Sequence, residues 1–215
     1  MRTGTINNYV KFSKAFGGVR KCYEGKPEIA VGGFSCEKEL LPTDGNALPA
    51  GTLVSYDEQA RTIVPIYTFK VLEVDSTNSA VKVEKFETGS LAKVGMVLGV
   101  VGSDLTAAVT YVATVSAIDA TAPDYDVLTV DVVTGISEGD VLAEFDGTSK
   151  KMSVPTPNGL TYCDNVLDPD AYAIDIDPVY FCVRPVLERR MPPLTDSIKK
   201  ALRDNGCYFN FSNRK

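Results

Sequence analysis

Apolar and polar residues alternate through the middle of this chain, with the period of strands buried on one face. Phe69-Lys70-Val71-Leu72-Glu73-Val74 and Val81-Lys82-Val83-Glu84 show it best, and residues 110–118, 127–133 and 141–145 continue it. Upstream, residues 52–56 and 62–66 flank the polar break Asp57-Glu58-Gln59, which is the layout of a hairpin. Downstream, Leu160-Thr161-Tyr162-Cys163 and Pro178-Val179-Tyr180-Phe181-Cys182-Val183-Arg184 read as further strands. Strands recurring about every ten residues with turn signals between them point to a barrel or sandwich. Pro192-Pro193 ends the extended pattern. A short helix is predicted after it, capped by Thr195 or Asp196, with Ile198, Ala201 and Leu202 on one face and Gly206 as its stop.

Residues 1–47 follow neither period and carry Gly4, Gly17-Gly18, Gly25 and Gly32-Gly33. They are expected to form an extended arm, closed by a turn at Pro42-Thr43-Asp44-Gly45-Asn46. The strand-rich middle repeats itself. Tyr67-x3-Val71-x2-Val74-Asp75-x-Thr77 matches Tyr111-x3-Val115-x2-Ile118-Asp119-x-Thr121, and Val94-Gly95-Met96-Val97-Leu98 matches Glu138-Gly139-Asp140-Val141-Leu142, both at an offset of 44. Two copies are too few for a solenoid but enough to close one pseudo-symmetric barrel. The expected fold is therefore mainly β. The arm of residues 1–47 leads into a discontinuous β domain, residues 48–66 plus 148–215, with a short C-terminal helix. Between its two halves is an inserted, pseudo-repeated β-barrel, residues 67–147.

Charge divides the chain in the same way. The net charge is −6, yet residues 1–38 hold seven cations against three anions and residues 185–215 again seven against three. An acidic body with two basic ends fits a protein whose ends dock on a negative surface. The five cysteines are odd in number and show no C-x-x-C spacing, so free thiols are expected. No apolar run is long enough to span a bilayer. The first residues lack the apolar core of a signal peptide, so synthesis in a cytoplasm is expected.

Histidine is absent, which excludes Ser-His-Asp and Cys-His catalysis and most zinc sites. No phosphate loop or nucleophile elbow occurs. Asp164, Asp168, Asp170, Asp175 and Asp177 form the densest acidic stretch, but not at EF-hand spacing. Alternation in residues 173–177 places Asp175 and Asp177 together on a wet strand face. No enzyme, metal or cofactor is expected. Nucleic acid is not an expected partner either, because the arm's basic footprint is small and the whole chain is acidic.

Three stretches resemble capsid decoration and head-fibre proteins of tailed bacteriophages. Leu48-Pro49-Ala50-Gly51-Thr52-Leu53-Val54-Ser55-Tyr56-Asp57 is similar to their small-Gly-Thr-hydrophobic leading strand. Gly159-Leu160-Thr161-Tyr162-Cys163-Asp164 with residues 179–184 is similar to their later strands, and residues 191–202 to their terminal helix. The resemblance covers about half the chain. It implies an auxiliary protein on the outside of a capsid, assembled in the host cytoplasm, forming a homo-oligomer with the major capsid protein lattice as partner. It would stabilise the shell or present a projection, the acidic insert being the projecting part. Arg2, Lys11, Phe12, Lys14, Phe16, Arg20, Lys21 and Tyr23 are the expected contacts, with Arg189 and Arg190 beside them. The rival readings are a tail or baseplate protein, a barrel binding a glycan or host-surface ligand in a groove lined by Tyr67, Tyr111 and Tyr125, and an enzyme with two carboxylates converging in a pocket.

Overall fold

The computed structural model of the chain describes residues 22–41, 47–86, 88–166 and 172–213. The first strands are β1 (Glu28–Ile29), β2 (Phe34–Glu37), β3 (Ala47–Leu48), β4 (Leu53–Asp57) and β5 (Thr62–Ile66), with a single 3-10 turn, Lys38–Leu40, after β2. Six more follow in the repeated region: β6 (Thr68–Asp75), β7 (Ala80–Glu84), β8 (Val97–Val100), β9 (Ala113–Asp119), β10 (Tyr125–Val130) and β11 (Val141–Glu144). The chain then forms β12 (Gly159–Thr161), β13 (Asn165–Val166), β14 (Ala173–Ile176), the long β15 (Pro178–Leu187), a second 3-10 turn Glu188–Arg190, helix α1 (Asp196–Asp204) and β16 (Tyr208–Ser212).

The fold is mainly β, as the alternation implied. Strands β6–β11 close a barrel in the order β10-β7-β6-β11-β8-β9. The other large sheet runs β1-β15-β12-β4-β5-β2-β14, with β16 added parallel to β15. Its strands thus come from both sides of the barrel in sequence. Helix α1 begins where expected: the Thr195 hydroxyl accepts the Ile198 N–H at 3.3 Å, and Ile198 and Leu202 are buried. Gly206 follows it at φ +84°, the left-handed stop that a side chain would strain.

The 44-residue repeat is built into the barrel as an exchange. β11 of the second copy pairs β6 of the first, with Leu142 opposite Phe69. β8 of the first pairs β9 of the second, with Leu98 opposite Ala113. The Gly95 N–H donates to the Val115 carbonyl at 2.8 Å, and the Gly139 N–H to the Val71 carbonyl at 2.9 Å. Both glycines have positive φ, +89° and +87°. β6 and β9 also share a bulge at the same offset, between Val71 and Glu73 and between Val115 and Ala117. Each copy completes the other's half-barrel, so neither half can bury its apolar face alone.

Residues 22–41 depart from the expected extended arm and belong to the sheet. β1 pairs β15, and β2 lies between β5 and β14. Phe34 and Cys36 are fully buried. The alternation that marks β2 lasts only four residues, and its partners lie far away in sequence, so no local window carries the signal. The turn expected at residues 42–46 lies outside the described residues.

One apolar cluster joins Phe34, Cys36, Val54 and Ile63 of the sheet to Phe69, Val71, Leu98, Leu128 and Leu142 of the barrel. A second packs Cys22, Leu53, Leu160, Val179 and Val186 against Ile198 and Leu202 of α1, with Ala143 and Phe145 from the barrel side. Among the described residues, which include all five cysteines, no disulfide forms. No helix among the described residues is long and apolar enough to cross a membrane.

Candidate functional site

The candidate site is a surface built on β15, the 3-10 turn after it, and β16. Along β15, Tyr180 and Val183 are exposed, Val183 to 62%, and Tyr208 of β16 is 51% exposed beside them. The rings of Phe181 and Tyr208 meet at 5.5 Å, as the pairing of these two residues across the strands dictates. Arg184, Arg189 and Arg190 are exposed along the same strand and turn. Gly25 lets Arg184 lie where it does: a Cβ at Gly25 would come 2.5 Å from the Arg184 Cγ. The turn bearing Arg189 and Arg190 is tied down by its first residue. Glu188 accepts from Lys199 at 3.0 Å and from Asn213 at 3.1 Å, which fixes the turn against α1 and β16. Arginine and tyrosine held on rigid strands, with an exposed valine between them, are the composition of a protein-binding surface.

Of the contacts expected from sequence, Arg189 and Arg190 belong to this surface. Tyr23 does not: it is 7% exposed, its hydroxyl donates to the Thr161 carbonyl at 2.8 Å, and burial holds its ionisation well above the usual range. Its neighbour Cys22 and residue Glu24 bond along β15, which draws this segment into the core. Arg2, Lys11, Phe12, Lys14, Phe16, Arg20 and Lys21 lie outside the described residues. Arg184, Tyr180 and Tyr208 were not among the contacts expected from sequence. The strand Pro178–Leu187 was legible, but a register break between Cys182 and Pro185 turns Val183 and Arg184 both outward, which strict alternation forbids.

Two clefts of about 380 Å³ each lie on the barrel. The first, at the junction with the sheet, is lined by Glu39, Tyr67, Lys93 and Glu144 among others. Burial pulls the Lys93 ammonium down and pushes the Glu144 carboxyl up, and each partly offsets the shift of the other. Lys93 donates to the Glu39 carbonyl at 2.6 Å and the Tyr67 hydroxyl to the Leu40 carbonyl at 2.7 Å. These two donors satisfy carbonyls that the 3-10 turn leaves open at its end, so the barrel holds the turn in place. The second cleft is lined by Tyr111 with Val100, Val109, Val112 and Ile136. Tyr67 and Tyr111 therefore line different clefts. Tyr125 stands apart from both, under the Lys82 ammonium at 5.6 Å. The single tyrosine groove of the glycan reading is not formed.

In the acidic stretch, Asp164 accepts the Ala50 N–H at 2.7 Å, and Asp175 and Asp177 are exposed on either side of buried Ile176. That is the wet face the alternation placed them on. Among the described residues, no group of three or more metal-ligating side chains comes together. No protein-family model matches the chain, and neither a curated protein nor a solved structure is found similar to it.

Proposed function

We propose that the chain is a structural protein of a virion that binds the outside of a tailed-phage capsid, as an auxiliary or head-fibre protein, with the β15–β16 surface turned toward the lattice. The observation that carries this reading is the exposed set Tyr180, Val183, Arg184, Arg189, Arg190 and Tyr208 on one strand pair and its turn. Its rings offer rigid apolar area at little entropic cost, and its guanidinium groups can pair bidentately with carboxylates of a partner. The resemblance of residues 48–57, 159–164 and 191–202 to capsid accessory proteins supports a capsid as that partner. In this reading the barrel, with thirteen acidic residues against four lysines over residues 67–147, faces outward into solvent. Repetition on a lattice supplies avidity, so each copy needs only modest affinity.

Co-sedimentation with assembled capsids tests the reading. Full-length chain is expected to pellet with capsids, and Arg189→Glu with Arg190→Glu to reduce the bound fraction about tenfold or more. Binding unchanged in that variant and in Tyr208→Ala would sink the assignment of this surface. A cut that removes residues 1–21 keeps Phe34 and Cys36 in the core and so tests the basic leading segment separately.

A further inference from the structure

The two barrel clefts occupy matching places in the repeat but differ in charge. The offset of 44 carries Tyr67 onto Tyr111, Val100 onto Glu144 and Lys93 onto Ser137. Tyr67 and Glu144 line one cleft, Tyr111 and Val100 the other. Val100 and Glu144 are both half-buried, as the last residues of β8 and β11. The barrel therefore accepts an apolar side chain at this position, and closing it does not require a carboxylate. Glu144 is costly where it stands. Burial strips water from it and pushes its carboxyl up. Among the described residues it forms no ion pair, and no donor bonds its carboxylate. Lys93 attracts it without pairing, because the Lys93 ammonium is bonded to the Glu39 carbonyl at 2.6 Å. A half-buried carboxylate without a donor loses stability that a valine keeps.

We infer that the Glu144 cleft binds an organic cation, an ammonium or guanidinium on an apolar stem, with the Glu144 carboxylate accepting its N–H groups. Charge, walls and size all fit such a ligand. The charged lining is Glu39, Glu144 and Lys93, two carboxylates against one ammonium, so a cation is favoured over an anion. The walls are apolar: Val64 and Ile66 come from β5, Val94 and Met96 from the turn before β8, and Val154 from the segment before β12. Val94 is 65% exposed, which leaves it open to a stem. The volume of about 380 Å³ suits a small molecule or a single long side chain. A bare metal ion is poorly served, since no three ligating side chains come together among the described residues. Two sources share this chemistry: a free alkyl or aryl-alkyl amine, and a lysine or arginine side chain of another protein.

NMR titration of the full chain, with isotope-labelled methionine methyl groups and no capsid present, tests this separately from co-sedimentation. Met96 lines the cleft, whereas Met191 packs with Ile198 and Leu202 of α1 and reports that the fold is intact. Phenethylammonium is expected to shift Met96 but not Met191, and to saturate at millimolar concentration. Glu144→Gln, which keeps the shape, is expected to weaken this binding about tenfold or more. Glu144→Val, which copies the mate cleft, is expected to abolish it while raising the urea midpoint. Neutral phenethyl alcohol and anionic phenylacetate should leave Met96 unmoved. A capped tripeptide with a central arginine separates the sources: tighter binding than the free amine identifies a protein side chain, weaker binding a small amine. No saturable shift with either cation, equal affinity in Glu144→Gln, equal binding of the alcohol or the acid, or a lowered midpoint in Glu144→Val overturns the inference.

Discussion

Lys85 and Asp126 show how one buried pair holds a loop. Asp126 is 2% exposed, and its Oδ1 lies 3.2 Å from the Lys85 ammonium. The same ammonium donates to the Ala120 and Ala122 carbonyls at 2.6 and 3.1 Å. Those carbonyls belong to the β9–β10 connection. Asp75 faces Ala80 across the first hairpin but Asp119 faces Val127 across the second, so this connection spans seven residues against four. Lys85 gathers the extra length onto the end of β7. A charge in such a place is tolerated only while paired. Lys85→Met is expected to cost about 3–5 kcal/mol in chemical denaturation, and Lys85→Met with Asp126→Leu to recover most of it. A single variant as stable as the parent would show that the pair carries no weight. Neither residue stood out in the sequence, because the two strands that present them pair only when the barrel closes.

Among the elements, the glycine turns before β8 and β11 set the barrel's exchange. Each must take positive φ to aim its N–H at the opposite half, and a Cβ would meet open space at either one. The cost of replacing them is therefore conformational alone, about 1 kcal/mol for a residue forced into the left-handed region. Gly95→Ala and Gly139→Ala should lower stability by nearly equal amounts in urea unfolding. A neutral effect at one and a large effect at the other would mean that the two halves are not mechanically equivalent. The repeat itself was legible, since Val71 with Gly95 and Val115 with Gly139 recur at one spacing. That the third strand of each copy crosses into the other copy was not, because strand pairing depends on closure and leaves no mark in a periodic pattern.

For the whole molecule, the shared core decides how the chain opens. Cys36 sits in the cluster that spans barrel and sheet, and Cys182 and Cys207 in the cluster under α1. Burial pushes the Cys36 thiol up to about 12 and Cys207 to about 11, and raises Cys182 as well. At pH 8 all three should resist a thiol reagent in the native protein, with half-buried Cys163 reacting first. Under mild denaturant, Cys36 and Cys182 should label at one common rate, read by peptide mapping, because neither cluster opens without its neighbour. Distinct rates would show the two apolar clusters opening as separate units. Alternation, the repeat spacing, the Thr195 cap and the Gly206 stop determined by themselves that the chain is mainly β, doubled in its middle, and closed by a short helix. These are local rules, satisfied within a few residues of sequence. Only the tertiary structure decided that residues 22–41 belong to the sheet, that Tyr23 is core, and that Arg184, Tyr180 and Tyr208 share a surface with Arg189 and Arg190. Each of these depends on which distant strands meet, and pairing energy arises only between segments that the chain has already brought together.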